Sequence, residues 1–167
     1  MSSYTIWLHG LPSSGKTTLA NALFSEINAV LLDGDDLRKH LQLEGFSNKE
    51  RNRIAQIYCG ICNLINNSNI DCILCTNSIT EENRNIFRDN INNLIDVYVS
   101  CPIEECIKRD TKGLYKKAID GLINNMPGID MKFEEPHRYD IILFNDKMPI
   151  DIGVKEILIC IKAKYCI

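Results

Sequence analysis

The sequence predicts an α/β protein in which a parallel sheet carries helices on both faces. Two observations carry that prediction. Apolar stretches of strand length recur at residues 4–9, 29–33, 71–76, 95–101 and 140–144, with helical stretches between them. The first strand runs into Gly10-x-x-x-x-Gly15-Lys16-Thr17, and a helical pattern follows at once. That spacing between a strand and a helix is the P-loop pattern. At 167 residues the chain has the length of one domain, spanning 1–167. It shows no internal repeat and no Pro-, Gly- or Ser-rich linker to divide it.

The elements follow in order. Tyr4 to Leu8 is short and apolar enough for a buried strand. Gly10, Leu11, Pro12, Ser13, Ser14 and Gly15 form the loop, whose glycines leave backbone N–H groups open to phosphate. Lys16 is placed to neutralise the β/γ-phosphates, the Thr17 hydroxyl to help hold Mg²⁺, and Thr18 to complete the loop. Helix 16–27 puts Leu19, Ala20, Leu23, Phe24 and Ile27 on one face. Further helices are expected at 36–43, 50–66, 81–93, 103–109, 114–124 and 151–163. The segment Arg109 to Arg138 is charged, punctuated by glycine, and contains Pro127 and Pro136. It reads as a mobile lid and acceptor loop, the device that excludes water from phosphoryl transfer.

Composition narrows the partners. A formal net charge of −3 gives no basic footprint for nucleic acid. No apolar run reaches membrane-spanning length and no signal-peptide pattern opens the chain, so a cytoplasmic setting is expected. Eight cysteines include Cys59-x-x-Cys62 and Cys72-x-x-Cys75. The first pair lies in an expected helix and the second in an expected strand, where residues three apart face opposite ways. No structural zinc is expected; the thiols read as small buried hydrophobes in a reducing compartment.

In open α/β sheets ligands sit at the carboxyl ends of strands, and the second strand ends "LLDGDDLRKHL". If strands one and two lie close, Asp33 and Asp35 fall beside the P-loop. Phosphoryl transfer needs charge neutralisation, in-line placement and a carboxylate to orient the acceptor hydroxyl. Asp35 suits the last role, with Asp33 near Mg²⁺ and Lys16. An acidic turn with Asp35 or Asp36 as helix N-cap is the competing reading.

Behind the P-loop, "LDGDDLR", "EGFSNKER", "RDTKGLYKKA" and "GID" occur in order. Together they resemble the adenylyl-sulfate kinases, which phosphorylate the 3′-hydroxyl of adenosine 5′-phosphosulfate with ATP, from Trp7 to about Leu143. The resemblance implies a P-loop kinase fold with a lid, Mg²⁺ with ATP as co-substrate, small nucleotide substrates and a homodimer. By position it implies ATP binding by Gly10–Thr18 and Arg109, and catalysis by Asp35 with Lys16 and Asp33. It implies acceptor binding by Asp35, Arg38, Phe46, Arg51, Lys116, Ile129 and Asp130.

The chain departs from that pattern at the acceptor's base. The family's second base-clamping phenylalanine, in "FTGID", is Met126 of "MPGID". Its Arg-x-x-Asn becomes Arg51-x-x-Ile54, with Arg53 one place earlier. Its "ISPY-R" becomes Asn77, Ser78, Ile79, Thr80, Glu81. Direct in-line transfer needs no phosphoserine, so Ser78 is expected to bind the acceptor or cap the next helix. Relatives of the family phosphorylate cytidine diphosphoramidate, and a smaller base needs less stacking surface. Both acceptors stand as expectations, with a non-catalytic nucleotide switch or another small-metabolite kinase as the alternatives.

Overall fold

The computed structural model describes residues 3–165. Among them, β1 (Thr5–His9), β2 (Ala29–Asp33), β3 (Asp71–Thr76), β4 (Leu94–Ser100) and β5 (Ile141–Phe144) form a parallel sheet in the order β2-β3-β1-β4-β5. The helices are α1 (Lys16–Phe24), α2 (Gly34–His40), α3 (Asn48–Asn67), α4 (Glu81–Asn90), α5 (Ile103–Arg109), α6 (Leu114–Ile119) and α7 (Ile150–Tyr165). Every expected strand is present to within a residue. The lid helix is shorter than its expected span of 114–124, because Gly121 takes a left-handed φ of 71° just past its end.

Two cores sandwich the sheet, and strand alternation sorts residues between them. Along the buried β1, Ile6 and Leu8 pack with Leu19 and Leu23 of α1 and Val154 and Ile157 of α7. Trp7 points the other way, to Ile54 and Tyr58 of α3 and Phe87 of α4. Burying a side chain of that size contributes about 1.5–3 kcal/mol. Cys75 belongs to the first cluster and Cys72 to the second, the opposition of faces expected from their spacing. No helix among the described residues is long and apolar enough to cross a membrane.

The expectation that strands one and two lie close is corrected: β3 sits between them. The crossover through α1 carries the chain past one position, and α3 returns it into the gap. Because α1 packs against both β2 and β3, its first turn still meets the end of β2. Asp33 therefore reaches the P-loop by way of the helix, not by neighbouring strands.

Candidate active site

The P-loop geometry needs its glycines. A Cβ on Gly10 would lie 2.4 Å from the Val99 carbonyl oxygen. Gly15 has φ 97°, and a Cβ there would lie 2.0 Å from the Asn145 amide nitrogen. That Asn145 amide donates to the Ser14 carbonyl at 2.7 Å, tying the end of β5 to the loop. Lys16 is buried, and its Nζ donates to the carbonyls of Gly10 (3.1 Å) and Leu11 (2.6 Å). Burial lowers its pKa to about 8, against the smaller opposing effects of the Cys75 thiol and the Asp35 carboxylate.

This shift gives a testable pH dependence. A triphosphate needs the Lys16 ammonium, so kcat/KM for ATP should fall as pH rises through about 8 in the free enzyme. Stability runs the other way. The folded pKa lies below the usual lysine value of 10.5, so between the two the unfolded chain binds the extra proton and Lys16 adds stability as pH rises. Alkaline loss of activity without loss of Tm would identify this titration. A kcat/KM profile flat from pH 7 to about 9.5 would exclude it.

Asp33 and Asp35 divide their tasks. The Asp33 carboxylate caps α2, accepting from the Asp35 N–H at 2.9 Å, and its other oxygen accepts the Thr17 hydroxyl at 2.8 Å. The N-cap is thus Asp33, not Asp35 or Asp36. Asp35 takes no part in the cap with its side chain, and its carboxylate meets the Lys112 ammonium at 2.6 Å across the cleft. The Asp35 carboxylate in turn raises the Lys112 pKa. Lys116 is exposed and does not line the cleft. The Asp110 carboxylate accepts from the N–H groups of Tyr115 and Lys116, and the Tyr115 hydroxyl donates to the Pro12 carbonyl. That docking turns Tyr115 inward and leaves Lys112, in the turn before α6, to reach Asp35.

Thr17 and Asp33 place a hydroxyl and a carboxylate oxygen together beside the P-loop. Such hard oxygen donors suit Mg²⁺, which keeps few protein ligands and takes the rest from phosphates and water.

One cleft of about 1200 Å³ runs from the P-loop past Asp35 to α3. That exceeds the usual range for a single small-molecule site, about 300–1,000 Å³. Its donor end holds Pro12, Ser13, Gly15, Lys16, Thr17, Thr18 and Arg109, with Asn145, Met148 and Ile150. Arg109 donates to the Asn145 carbonyl at 3.0 Å and pairs with Glu105. Leu11 lies instead in the core beneath the lid, and Ser14 is buried within the loop.

At the other end, Phe46 is half exposed, with the Arg38 and Arg51 guanidiniums 4.7 and 5.6 Å from its ring centroid. The capping box of Ser47 and Glu50 starts α3 immediately after Phe46 and so fixes its approach. Arg38 donates to Gly45 and Arg51 to the carbonyls of Phe46 and Asn125. Neither arginine makes an ion pair among the described residues, although the Asp35 carboxylate acts on Arg51 and the Glu50 carboxylate on Arg38 from farther off. Burial, and then Arg38, lower the Arg51 pKa to about 10.

Asn77, Ser78, Ile54 and Met126 line the same end. Ser78 is buried, with its hydroxyl 2.8 Å from that of Thr76. Of its two expected roles, capping falls away: Thr80 caps α4 by accepting from the Asn83 N–H. Ile129 and Asp130 do not line the main cleft. Asp130 spends its carboxylate on the N–H groups of Asn125 and Met126, and Ile129 lines a second hollow beside Leu11 and Phe144. Lys112, Asn145 and Asn83 also line the cleft and were not among the residues expected there from sequence. For Asn145, its place just past the carboxyl end of β5 was an available signal.

The family model described as adenylylsulphate kinase matches residues 2–144. A probable adenylyl-sulfate kinase of Archaeoglobus fulgidus is 36% identical over 151 residues, covering 87% of this chain and 97% of that protein. A cytidine diphosphoramidate kinase of Campylobacter jejuni is 34% identical over 147 residues, covering 85% and 86%. The solved Mycobacterium tuberculosis APS kinase CysC, in complex with AMPPNP and APS, superposes with a TM-score of 0.90 at 29% identity, covering 96% and 98%.

Proposed function

The chain belongs to the adenylylsulphate kinase family, and from that premise we propose that it transfers the ATP γ-phosphoryl group to the 3′-hydroxyl of a nucleoside 5′-phospho-conjugate. The observation that carries this reading is the single cleft with a P-loop at one end, an arginine-flanked aromatic platform at the other, and Asp35 on its wall. Lys16 and the loop N–H groups hold the triphosphate. Arg38 and Arg51 bind the acceptor's 5′-phosphate, for which guanidinium forks are suited. Phe46 stacks on the base, and Asp35 orients the 3′-hydroxyl for in-line attack. Bound with ATP at Thr17 and Asp33, Mg²⁺ would neutralise the developing phosphate charge. Lys112 closes the lid side of the site. Small nucleotides as partners, a cytoplasmic setting and a homodimer accompany this reading.

The family's named reaction makes adenosine 5′-phosphosulfate the first acceptor. The pocket favours a second, cytidine diphosphoramidate. Met126 is 4% exposed, with its side chain packed among Leu11, Cys101, Cys106 and Tyr115, so Phe46 has no aromatic opposite it there. Ile54, in the wall of α3, offers no hydrogen bond. A base–aromatic stack is worth roughly 1–3 kcal/mol, and a pyrimidine loses less than a purine when one is missing.

The test is ADP release from Mg·ATP with each acceptor, compared by kcat/KM. Release that depends on neither acceptor would reject the kinase reading. Met126→Phe is expected to shift the kcat/KM ratio toward the adenosine compound by about tenfold. An unchanged ratio would mean that residue 126 does not select the base.

A further inference from the structure

At the deep wall of the acceptor end, three side chains form a hydrogen-bonded line. The Glu82 carboxylate accepts from Asn52 Nδ2 at 2.8 Å, and Asn52 Oδ1 accepts from Asn83 Nδ2 at 3.0 Å. Each link fixes the next. A carboxylate only accepts, so the Asn52 amide must turn its NH₂ to Glu82 and its oxygen to Asn83. Asn83 must then turn its NH₂ to Asn52. Its Oδ1 is left without a donor among the described residues and is not sealed from solvent. Asn83 is otherwise buried, 5% exposed, and lines the cleft beside Ile54 and Phe87.

We propose that Asn83 is the base-reading residue of the acceptor site, and that Glu82, acting through Asn52, holds it in the orientation that selects an aminated base. The inference rests on the acceptor-site reading above and deepens it. An amide presents Oδ1 and the nearer Nδ2 proton along one edge. That edge matches an exocyclic amine beside an unprotonated ring nitrogen: N6 and N1 of adenine, or N4 and N3 of cytosine. An asparagine reads adenine in nucleic acids by the same kind of paired contact. Hypoxanthine and uracil carry the reverse pattern, a carbonyl beside an N–H. A free asparagine could turn over to meet it, but the line ending on Glu82 does not let this one turn. Rejection is strong where a buried polar group would be left unpaired. The apolar neighbours Ile54 and Phe87 offer no substitute partner.

Glu82 is exposed and lies outside the cleft, which makes Glu82→Gln the informative variant. A glutamine can donate as well as accept, so the whole line can invert and present the Asn83 NH₂ to a carbonyl. The experiment measures kcat/KM with Mg·ATP for adenosine 5′-phosphosulfate against its inosine counterpart, and cytidine diphosphoramidate against its uridine counterpart. The wild-type protein is expected to prefer the aminated member of the pair it uses by at least ~10-fold, the lower range for a paired base contact. Glu82→Gln should narrow that preference to within about threefold, and Asn83→Leu should abolish it. A purely structural link between α3 and α4 would alter stability without altering this ratio. Equal use of aminated and deaminated acceptors by the wild type, or a full preference kept in Glu82→Gln, would overturn the inference while leaving the kinase reading intact. Turnover of none of the four compounds would overturn the kinase reading, and this one with it.

Discussion

Asp35→Ala is expected to lower kcat by at least ~10²-fold, the lower range for a positioned acid or base, with ATP affinity preserved. The expectation rests on how little else Asp35 does. The cap of α2 and the hold on Thr17 both belong to Asp33, so losing the Asp35 carboxylate leaves the helix start and the P-loop intact. What disappears is the acceptor-side carboxylate and the partner of Lys112. Asp35→Asn tests the same point with shape retained, since an amide oxygen is a far weaker proton acceptor. Asp33→Ala should behave differently. It removes an N-cap, worth about 1 kcal/mol, and frees Thr17, so both Tm and ATP affinity should fall. A loss confined to kcat in Asp35→Ala is the signature of an interaction made in the transition state. Near-normal turnover in that variant would remove Asp35 from the chemistry and leave its pair with Lys112 as a lid contact only.

The two aspartates also show where sequence sufficed and where it stopped. The P-loop was legible because its chemistry is local: strand, glycine turn, lysine and helix are contiguous. Which aspartate caps and which faces the cleft was not legible, because both sit within two residues of the same helix start and only backbone geometry separates them. Which lysine of this segment meets Asp35 was not legible for a related reason. Lys112 lies in the turn before α6 and Lys116 within it, and which of them reaches Asp35 depends on Asp110 and Tyr115 docking α6 against Pro12. Strand order was hidden too, since alternating elements give a parallel sheet without saying that β3 enters between β1 and β2. Asn83 and Asn145 matter through partners 31 and 131 residues away, and no short spacing announces such pairs. The departures at Met126 and Ile54, by contrast, were visible as sequence, and both line the cleft.

Arg84→Met is expected to cost about 3 kcal/mol of stability, because it removes three hydrogen bonds of a buried guanidinium and leaves acceptors unpaired at about 1–3 kcal/mol each where they are buried. For a domain of this length that is a Tm fall of about 6–12 °C. Arg84 has no exposed surface, and all three arms of its guanidinium are used: 2.8 Å to Glu81, 3.0 Å to the Ser78 carbonyl and 2.7 Å to the Glu134 carbonyl. One helical turn on, Arg88 joins Glu81 to Asp96 and to the Arg138 carbonyl, and Asp96 pairs with His9, the residue before the P-loop glycine. Burial pushes the His9 pKa down, so it serves this line as a neutral donor to Asp96. Methionine fills the space but strands the buried Ser78 carbonyl and the partly buried Glu134 carbonyl, and a buried acceptor without a donor costs more than the bond it replaced. Arg84→Lys should rescue little, because one ammonium cannot span the positions of a planar fork. Since Ser78 lines the cleft at the end proposed to take the acceptor, KM for the acceptor should rise while KM for ATP holds. A Tm within about 2 °C of wild type, or equal rises in both KM values, would show that Arg84 neither anchors this turn nor acts on the acceptor side alone.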